Sequence, residues 1–394
     1  MKANLRHLRV FLAVADSGTI TRAAALCNVT QPAVTQAVAK LERRAGTALF
    51  RRTPQGLFQT PAGVALAGRV RRAFAILDPA LSDLAPRLRL TVSTPQLEAL
   101  VAMRESENFT LAARRLGLAQ PTVHRAITRL EEEAARPLFE RTSYGMIATR
   151  AAQAVAQAAR LAFAELEQAE ADLAEALGQE VGRIVVGALP LSRSHLLPRA
   201  IGQFRRARPT LPLRIVEGPY TELLAALRRG EIDVMIGALR HPLPIGDVAQ
   251  EWLFDDSLTL VAGPAHPLLA GAPVTLADLA QQPWVVGPLG TPTRARFDAL
   301  FEELPGGGPK SLVESGSMIL MRELLHETPH LGCISRMQVA PELARGTLVE
   351  LPFALAGTSR PIGLTTRADW MPTLAQSAFL DALRLVAQET GDAG

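Results

Sequence analysis

Cysteine is nearly absent: the 394 residues hold two, Cys27 and Cys333. Two distant thiols exclude a disulfide framework and suit a reducing compartment, so a cytoplasmic protein is expected. Cys27 falls where a helix needs an apolar inward residue, which predicts a buried free thiol. Long hydrophobic runs are missing too. No stretch approaches transmembrane length, and Met1 to Val10 has no continuous apolar core, so neither a membrane span nor a signal peptide is expected. Catalytic and metal-binding patterns are also lacking. His195, His241, His266, His326 and His330 are scattered without HExxH spacing, and Ser315-Gly316-Ser317 is not GxSxG. Gly306-Gly307-Gly308 is not a phosphate loop and reads as a flexible surface turn. No enzyme activity, metal or cofactor is expected.

The formal net charge is only +4, but it is unevenly placed. Residues 1–60 carry nine basic side chains against Asp16 and Glu42, leaving +7. A small module this basic suits a phosphate backbone, where each neutralised phosphate releases counterions.

Within that module, a short helix ending after Ala23-Ala24 is followed by a turn and a second helix from Gln31. Val34, Val38 and Leu41 fall at i, i+4 and i+7 and form the inward stripe. Gln31, Thr35, Gln36 and Lys40 then face outward. Thr30 is placed to cap the helix, and Pro32 fits its first turn. Amide and hydroxyl groups near a helix N-terminus are what base-edge reading in the major groove requires. Arg22, Arg51 and Arg52 are placed to meet phosphates.

Leu8, Phe11, Ser17, Ala23-Ala24, Gln31-Pro32-Ala33-Val34, Leu41-Glu42, Leu49-Phe50-Arg51-Arg52-Thr53 and Thr60-Pro61-Ala62-Gly63 resemble the winged helix-turn-helix of LysR-type transcriptional regulators. The likeness runs almost without gaps over the first sixty-odd residues.

Shifted by 89 positions, the sequence meets itself. From Leu8/Leu97 to Thr60/Thr149 there are 19 identities in 53 pairs, including Gln120-Pro121, Leu130-Glu131, Leu138-Phe139 and Arg141-Thr142. Repeats of this size define architecture, and most members of the family carry one such module. The copies differ where DNA would be met. Ala119 replaces Thr30, His124-Arg125 replaces Thr35-Gln36, and Glu131-Glu132-Glu133 replaces Glu42-Arg43-Arg44. Residues 93–150 carry eight arginines against seven glutamates, a net +1. Two readings stay open: a second reading head using Gln120, His124, Arg125 and Arg141, or a winged-helix body reused for subunit contacts. Residues 62–84 and 150–177 read as long amphipathic helices, the first stopped by Pro86 and the second by Gly178. The resemblance implies that such helices pair two subunits.

From Arg183, short apolar runs alternate with helical segments, the signature of parallel βαβ units. His195-Leu196-Leu197-Pro198, Leu227-Arg228-Arg229-Gly230-Glu231-Ile232-Asp233, Ala265-His266-Pro267-Leu268, Thr275-Leu276-Ala277-Asp278-Leu279 and Gly290-Thr291-Pro292 resemble the effector-binding domain of the same family. That resemblance implies the two-lobed fold of type 2 periplasmic binding proteins. Ligands of open parallel sheets settle at strand carboxyl ends. The hydroxyl-rich corners at Ser192, Thr291 and Ser317 suit an acid or a polyhydroxylated molecule, or are plain helix caps. Arg193 pairs a carboxylate or is a surface arginine; Tyr220 lines the cleft or packs against its own lobe.

The expected architecture is multi-domain. A winged helix-turn-helix occupies 1–61, a linker helix 62–88, a second winged helix-turn-helix 93–150 and a linker or dimerisation helix 151–178. An α/β effector-binding domain spans 182–390, with lobe I at 182–262 and 361–390 and lobe II at 263–355. The expected function is LysR-type transcriptional regulation. Double-stranded DNA and a small-molecule effector are the partners, in a homodimer or homotetramer without membrane attachment. A solute-binding protein or an enzyme on the same scaffold is the alternative.

Overall fold

Asn4 starts the first helix by accepting an N–H from Arg6 (2.9 Å), and α1 (Leu5–Ser17) ends where Gly18 turns left-handed at φ 70°. The computed structural model describes residues 4–143, 145–243, 245–271, 273–305 and 307–391. Met1, Lys2 and Gly306, invoked above, lie outside the described residues. The chain forms two compact units, Met1–Arg183 and Ile184–Gly394.

In the first unit Thr19 caps α2 (Ile20–Cys27), and Asn28 ends it at φ 52°. α3 (Gln31–Ala45) buries Val34, Ala37, Leu41 and Ala45, while Val38 is only partly buried. The inward row therefore follows i, i+3, i+7, i+11, one position off the expected stripe. Thr30 stands at the helix start with extended dihedrals but makes no side-chain cap bond. Pro32, the second residue of α3, has no N–H to offer it. The expected capping role is corrected, and Ala119, which likewise makes no cap bond, loses nothing by comparison. Cys27 is half-buried rather than buried. β1 (Phe50–Thr53) and β2 (Gly56–Gln59) form an antiparallel hairpin. Glu42 fastens it to α3 by accepting the N–H groups of Leu49 (2.9 Å) and Phe50 (3.2 Å). Thr60 then caps α4 (Pro61–Leu84).

A short α5 (Leu88–Thr91) leads to α6 (Thr94–Ser106), α7 (Phe109–Leu116) and α8 (Gln120–Ala134). The hairpin of β3 (Phe139–Thr142) and β4 (Gly145–Ala148) precedes α9 (Arg150–Ala176). Glu131 accepts the N–H groups of Leu138 (2.8 Å) and Phe139 (3.4 Å). The backbone N–H of Leu57 donates to Gly18 (2.8 Å) and that of Met146 to Glu107 (3.1 Å). Where Gly18 and Gly46 take positive φ, Glu107 and Ala135 do so at 50° and 51°. A Cβ in this region costs roughly 1–2 kcal/mol. Ala135→Gly should therefore stabilise the first unit by about 1 kcal/mol, read as a higher denaturation midpoint for that unit. α4 and α9 lie against each other, and Leu66, Val70, Leu77, Val155, Ala159 and Leu166 join one continuous core.

The second unit opens with β5 (Ile184–Ala188), α10 (Pro190–Arg193), α11 (Leu196–Ala207), β6 (Leu213–Glu217), α12 (Tyr220–Arg228), β7 (Val234–Ala238) and β8 (Val248–Asp256). β9 (Leu258–Ala262), α13 (Leu276–Ala280), β10 (Trp284–Val286), α14 (Pro292–Leu300), β11 (Leu312–Glu314) and α15 (Met318–Glu327) follow. β12 (Leu331–Ser335), α16 (Arg336–Arg345), β13 (Val349–Glu350), β14 (Arg360–Arg367) and α17 (Leu374–Gly391) complete it. The two sheets have the strand orders β6-β5-β7-β14-β8 and β11-β10-β12-β9-β13. In each, four strands run one way and a single strand, β14 in the first and β9 in the second, runs antiparallel to both its neighbours. β9, expected to finish the first sheet, pairs with β12 in the second. The chain changes sheets at Ser257, not after residue 262, because a single residue separates β8 from β9. β14 returns to the first sheet as expected.

Candidate nucleic-acid interface and strand-end corners

The start of α3 and the β1–β2 hairpin enclose an open groove on the first unit. Gln31, Pro32, Thr35, Gln36 and Arg52 line it together with Thr30. All six are exposed, so their polar groups meet solvent rather than the core. Thr35 Oγ1 donates to the Gln31 carbonyl (3.1 Å) and keeps its lone pairs free to accept. Arg51 and Arg52 are consecutive on β1, and successive strand residues point to opposite faces. Arg52 therefore lines the groove while Arg51 is exposed on the other side of the hairpin. Lys40 is exposed one turn beyond Gln36, and Arg22 is exposed on α2. A helix start carrying amides and a hydroxyl, flanked by a basic hairpin, has the layout for entering a major groove and holding its phosphates.

Farther along, Gln120, His124 and Arg125 are exposed on α8, and Arg141 is exposed on β3. The His124 ring packs on Phe109 with centroids 5.0 Å apart, and Arg125 Nε donates to the Pro121 carbonyl (3.3 Å). Glu140 stands where the first hairpin has Arg51.

In the second unit the strand-end corners are less open than their hydroxyls suggested. Ser192 is fully buried and donates to the Leu189 carbonyl (2.8 Å). Its side chain shows no surface to solvent, which departs from the open ligand corner expected there. Arg193 pairs with Glu217. Thr291 caps α14 by accepting the Arg294 N–H (3.3 Å), and Ser317 caps α15 by accepting that of Leu320 (3.2 Å). These corners belong to the neighbouring strands β10 and β11. Tyr220 begins α12 with Arg240 stacked over its ring at 4.3 Å. Burial pushes the Tyr220 hydroxyl above its usual range, and neither that oxygen nor Arg240 Nε has a hydrogen-bond partner among the described residues.

Two residues here carried no sequence signal. Arg240 lies outside any helix or strand. Arg360, on β14, donates to Asp256 Oδ2 (3.2 Å) and Thr293 Oγ1 (2.9 Å), tying the first sheet to the start of α14. Its Nε is buried and unpaired. Cys333, in β12, is pushed up to about 12 by burial, which keeps it an inert thiol. Among the described residues no His, Cys, Asp or Glu cluster suits a metal, and no helix is long and apolar enough to cross a membrane.

A polar-faced helix after a tight turn, with a basic hairpin beside it and an α/β unit later in the chain, defines a helix-turn-helix DNA-binding protein with a sensing unit. The family model for the bacterial regulatory helix-turn-helix protein, lysR family, matches residues 5–64 and 94–153, and that for the LysR substrate binding domain matches 177–388. The HTH-type transcriptional regulator GalR of Pseudomonas putida is 35% identical over 389 residues, 98% of each chain. The transcriptional regulator YdcI of Escherichia coli is 32% identical over 73% of this chain and 94% of its own. A full-length OxyR variant from Pseudomonas aeruginosa superposes with a TM-score of 0.55 at 26% identity, over 75% of this chain and 96% of that one. The chain belongs to the LysR family. It is a DNA-binding transcriptional regulator with an effector-binding domain, and its relatives are regulators, not enzymes.

Proposed function

We propose that this regulator carries its winged helix-turn-helix twice, at 1–61 and 93–150, each followed by a linker helix, at 62–88 and 151–178. A two-lobed effector domain of the type 2 periplasmic-binding-protein kind, 182–390, completes it, and the assembly works in the cytoplasm as a homo-oligomer. Three findings support the duplication. The 89-residue repeat preserves the glutamate that fastens each hairpin to its helix. The helix-turn-helix model matches twice. YdcI, matched over 94% of its own length, covers only 73% of this chain.

The observation that carries the DNA reading is the groove shared by Gln31, Thr35, Gln36 and Arg52. Gln31, Thr35 and Gln36 approach base edges, and Arg52, Arg51, Lys40 and Arg22 meet phosphates. In the effector domain, Tyr220 and Arg240 offer unpaired polar atoms and Thr291 and Ser317 mark helix starts, a set fitting a small acid or polyhydroxylated molecule. Arg193 adds positive charge once Glu217 releases it. An effector favouring one arrangement of the two sheets shifts the arrangement that DNA favours, by reciprocal linkage.

The test is a gel shift on the DNA upstream of the protein's own coding region. Arg52→Ala should weaken binding to all sequences and flatten the salt dependence by about one unit of slope. Thr35→Ala should leave the slope and reduce the preference for the specific fragment by about 1–3 kcal/mol. An unchanged slope for Arg52→Ala removes it from the phosphate contacts.

A further inference from the structure

α4 carries Arg69 and Arg72 onto α9. Arg69 donates to Asp172 (2.8 Å), Gln168 (2.8 Å) and Glu165 (3.2 Å), and Arg72 to Glu165 (3.2 Å). As residue numbers rise along one helix they fall along the other, so the pair runs antiparallel. The ends agree. Just beyond α8, Arg136 donates to the Asp83 and Leu84 carbonyls at the end of α4 (2.8 Å each). Reciprocally, Glu170 near the end of α9 meets Arg44 of α3 (3.6 Å), and Leu177 approaches Gly46 at the end of that helix. Each long helix thus starts in one helix-turn-helix body and ends against the other. The apolar faces of both join one core with both bodies, so this pairing surface is filled from within the chain.

We infer that a single chain presents α3 and α8 as a fixed pair of unlike reading heads, and that the DNA element covered by each chain of the homo-oligomer is two dissimilar half-sites rather than a palindrome. The inference rests on α3 being a DNA-reading helix, as proposed above. In symmetric dimers the two-fold axis of the protein is mirrored in a palindromic operator. Here the heads are covalently distinct. Gln31, Thr35 and Gln36 are exposed on one, Gln120, His124 and Arg125 on the other. A glutamine amide matches the N6/N7 edge of adenine, and a guanidinium matches the O6/N7 edge of guanine. The α3 half-site is accordingly adenine-bearing and the α8 half-site guanine-bearing. Beside the reading positions, Arg43, Arg44 and Arg51 give way to Glu132, Glu133 and Glu140. The α8 head therefore has fewer phosphate partners and leans more on its base contacts.

The experiment is a nuclease footprint of the full chain on its own upstream DNA, with Thr35→Ala/Gln36→Ala and His124→Ala/Arg125→Ala as variants. All four side chains are exposed, and a circular dichroism spectrum equal to wild type checks the fold of each. Each double variant should lose protection over a different half of the site and bind about tenfold or more weakly. A duplex in which either half is copied in place of the other should also bind about tenfold more weakly than the natural one. The inference is overturned if both variants lose the same half, if His124→Ala/Arg125→Ala keeps the full footprint, or if a symmetrised duplex binds as tightly. Absence of any preferred fragment for the wild type at low salt overturns the DNA reading itself, a result distinct from these.

Discussion

Arg69→Ala should destabilise the first unit by about 3–5 kcal/mol, the range for removing one partner of a buried ion pair. Arg69 is 3% exposed and Glu165 5%. Arg72 still reaches the Glu165 carboxylate, but Gln168 and Asp172 lose the donor that crosses from α4. The charge left behind is the costly part, because an ion with too few partners cannot recover its hydration inside a core. Arg69→Met/Asp172→Leu, which also removes the carboxylate left without its donor and fills the volume, should therefore be less destabilised than Arg69→Ala alone. Denaturant titration of the full chain, following the first-unit transition, checks both. A single variant within about 0.5 kcal/mol of wild type would mean that the α4–α9 contact is held by its apolar surface alone.

The second large effect is expected at Arg360. The Asp256 carboxylate is buried and accepts from Arg360 and from the Met337 N–H (3.2 Å). Arg360→Ala strips it of its counter-charge and cuts the bond to Thr293. The second unit should lose about 3–5 kcal/mol. Arg360→Lys keeps the charge but replaces a fork of donors with a point, so it should hold Asp256 or Thr293 and not both. Its stability should fall between wild type and Arg360→Ala, measured on the second-unit transition. Equal stability of Arg360→Ala and wild type would show that Asp256 is held by other groups.

The outward polar row of α3 was legible because its chemistry is local. Outward Gln31, Thr35 and Gln36 follow from helical period alone, and the turn residues before them fix where the helix starts. What misled there was also local in appearance: Thr30 has the right type and place for a cap, but the proline two residues on removes a donor. The 89-residue repeat exposed two sets of matching elements, yet not that α4 and α9 lie antiparallel, since Arg69 and Asp172 are 103 residues apart. In the second unit, parallel strands announced themselves as apolar runs. β8 did not, because Gln250, Glu251 and Trp252 stand in an edge strand with an exposed face. α16 was hidden by Pro341 within it. Hydroxyl-rich corners located the strand ends correctly, but composition cannot say which way a hydroxyl points, and Ser192 points inward. Arg240 and Arg360 gain their interest only from neighbours brought in by the fold.

Everything assigned to this regulator depends on residues 31–36 of α3 meeting bases. The most direct measurement compares wild type with Gln31→Ala/Thr35→Ala/Gln36→Ala in competition between the native upstream fragment and a scrambled duplex at fixed salt. Wild type should prefer the native fragment by about a hundredfold or more. The triple variant should lose most of that preference while keeping its salt slope, because its phosphate contacts are untouched. Undiminished preference in the triple variant would contradict the account.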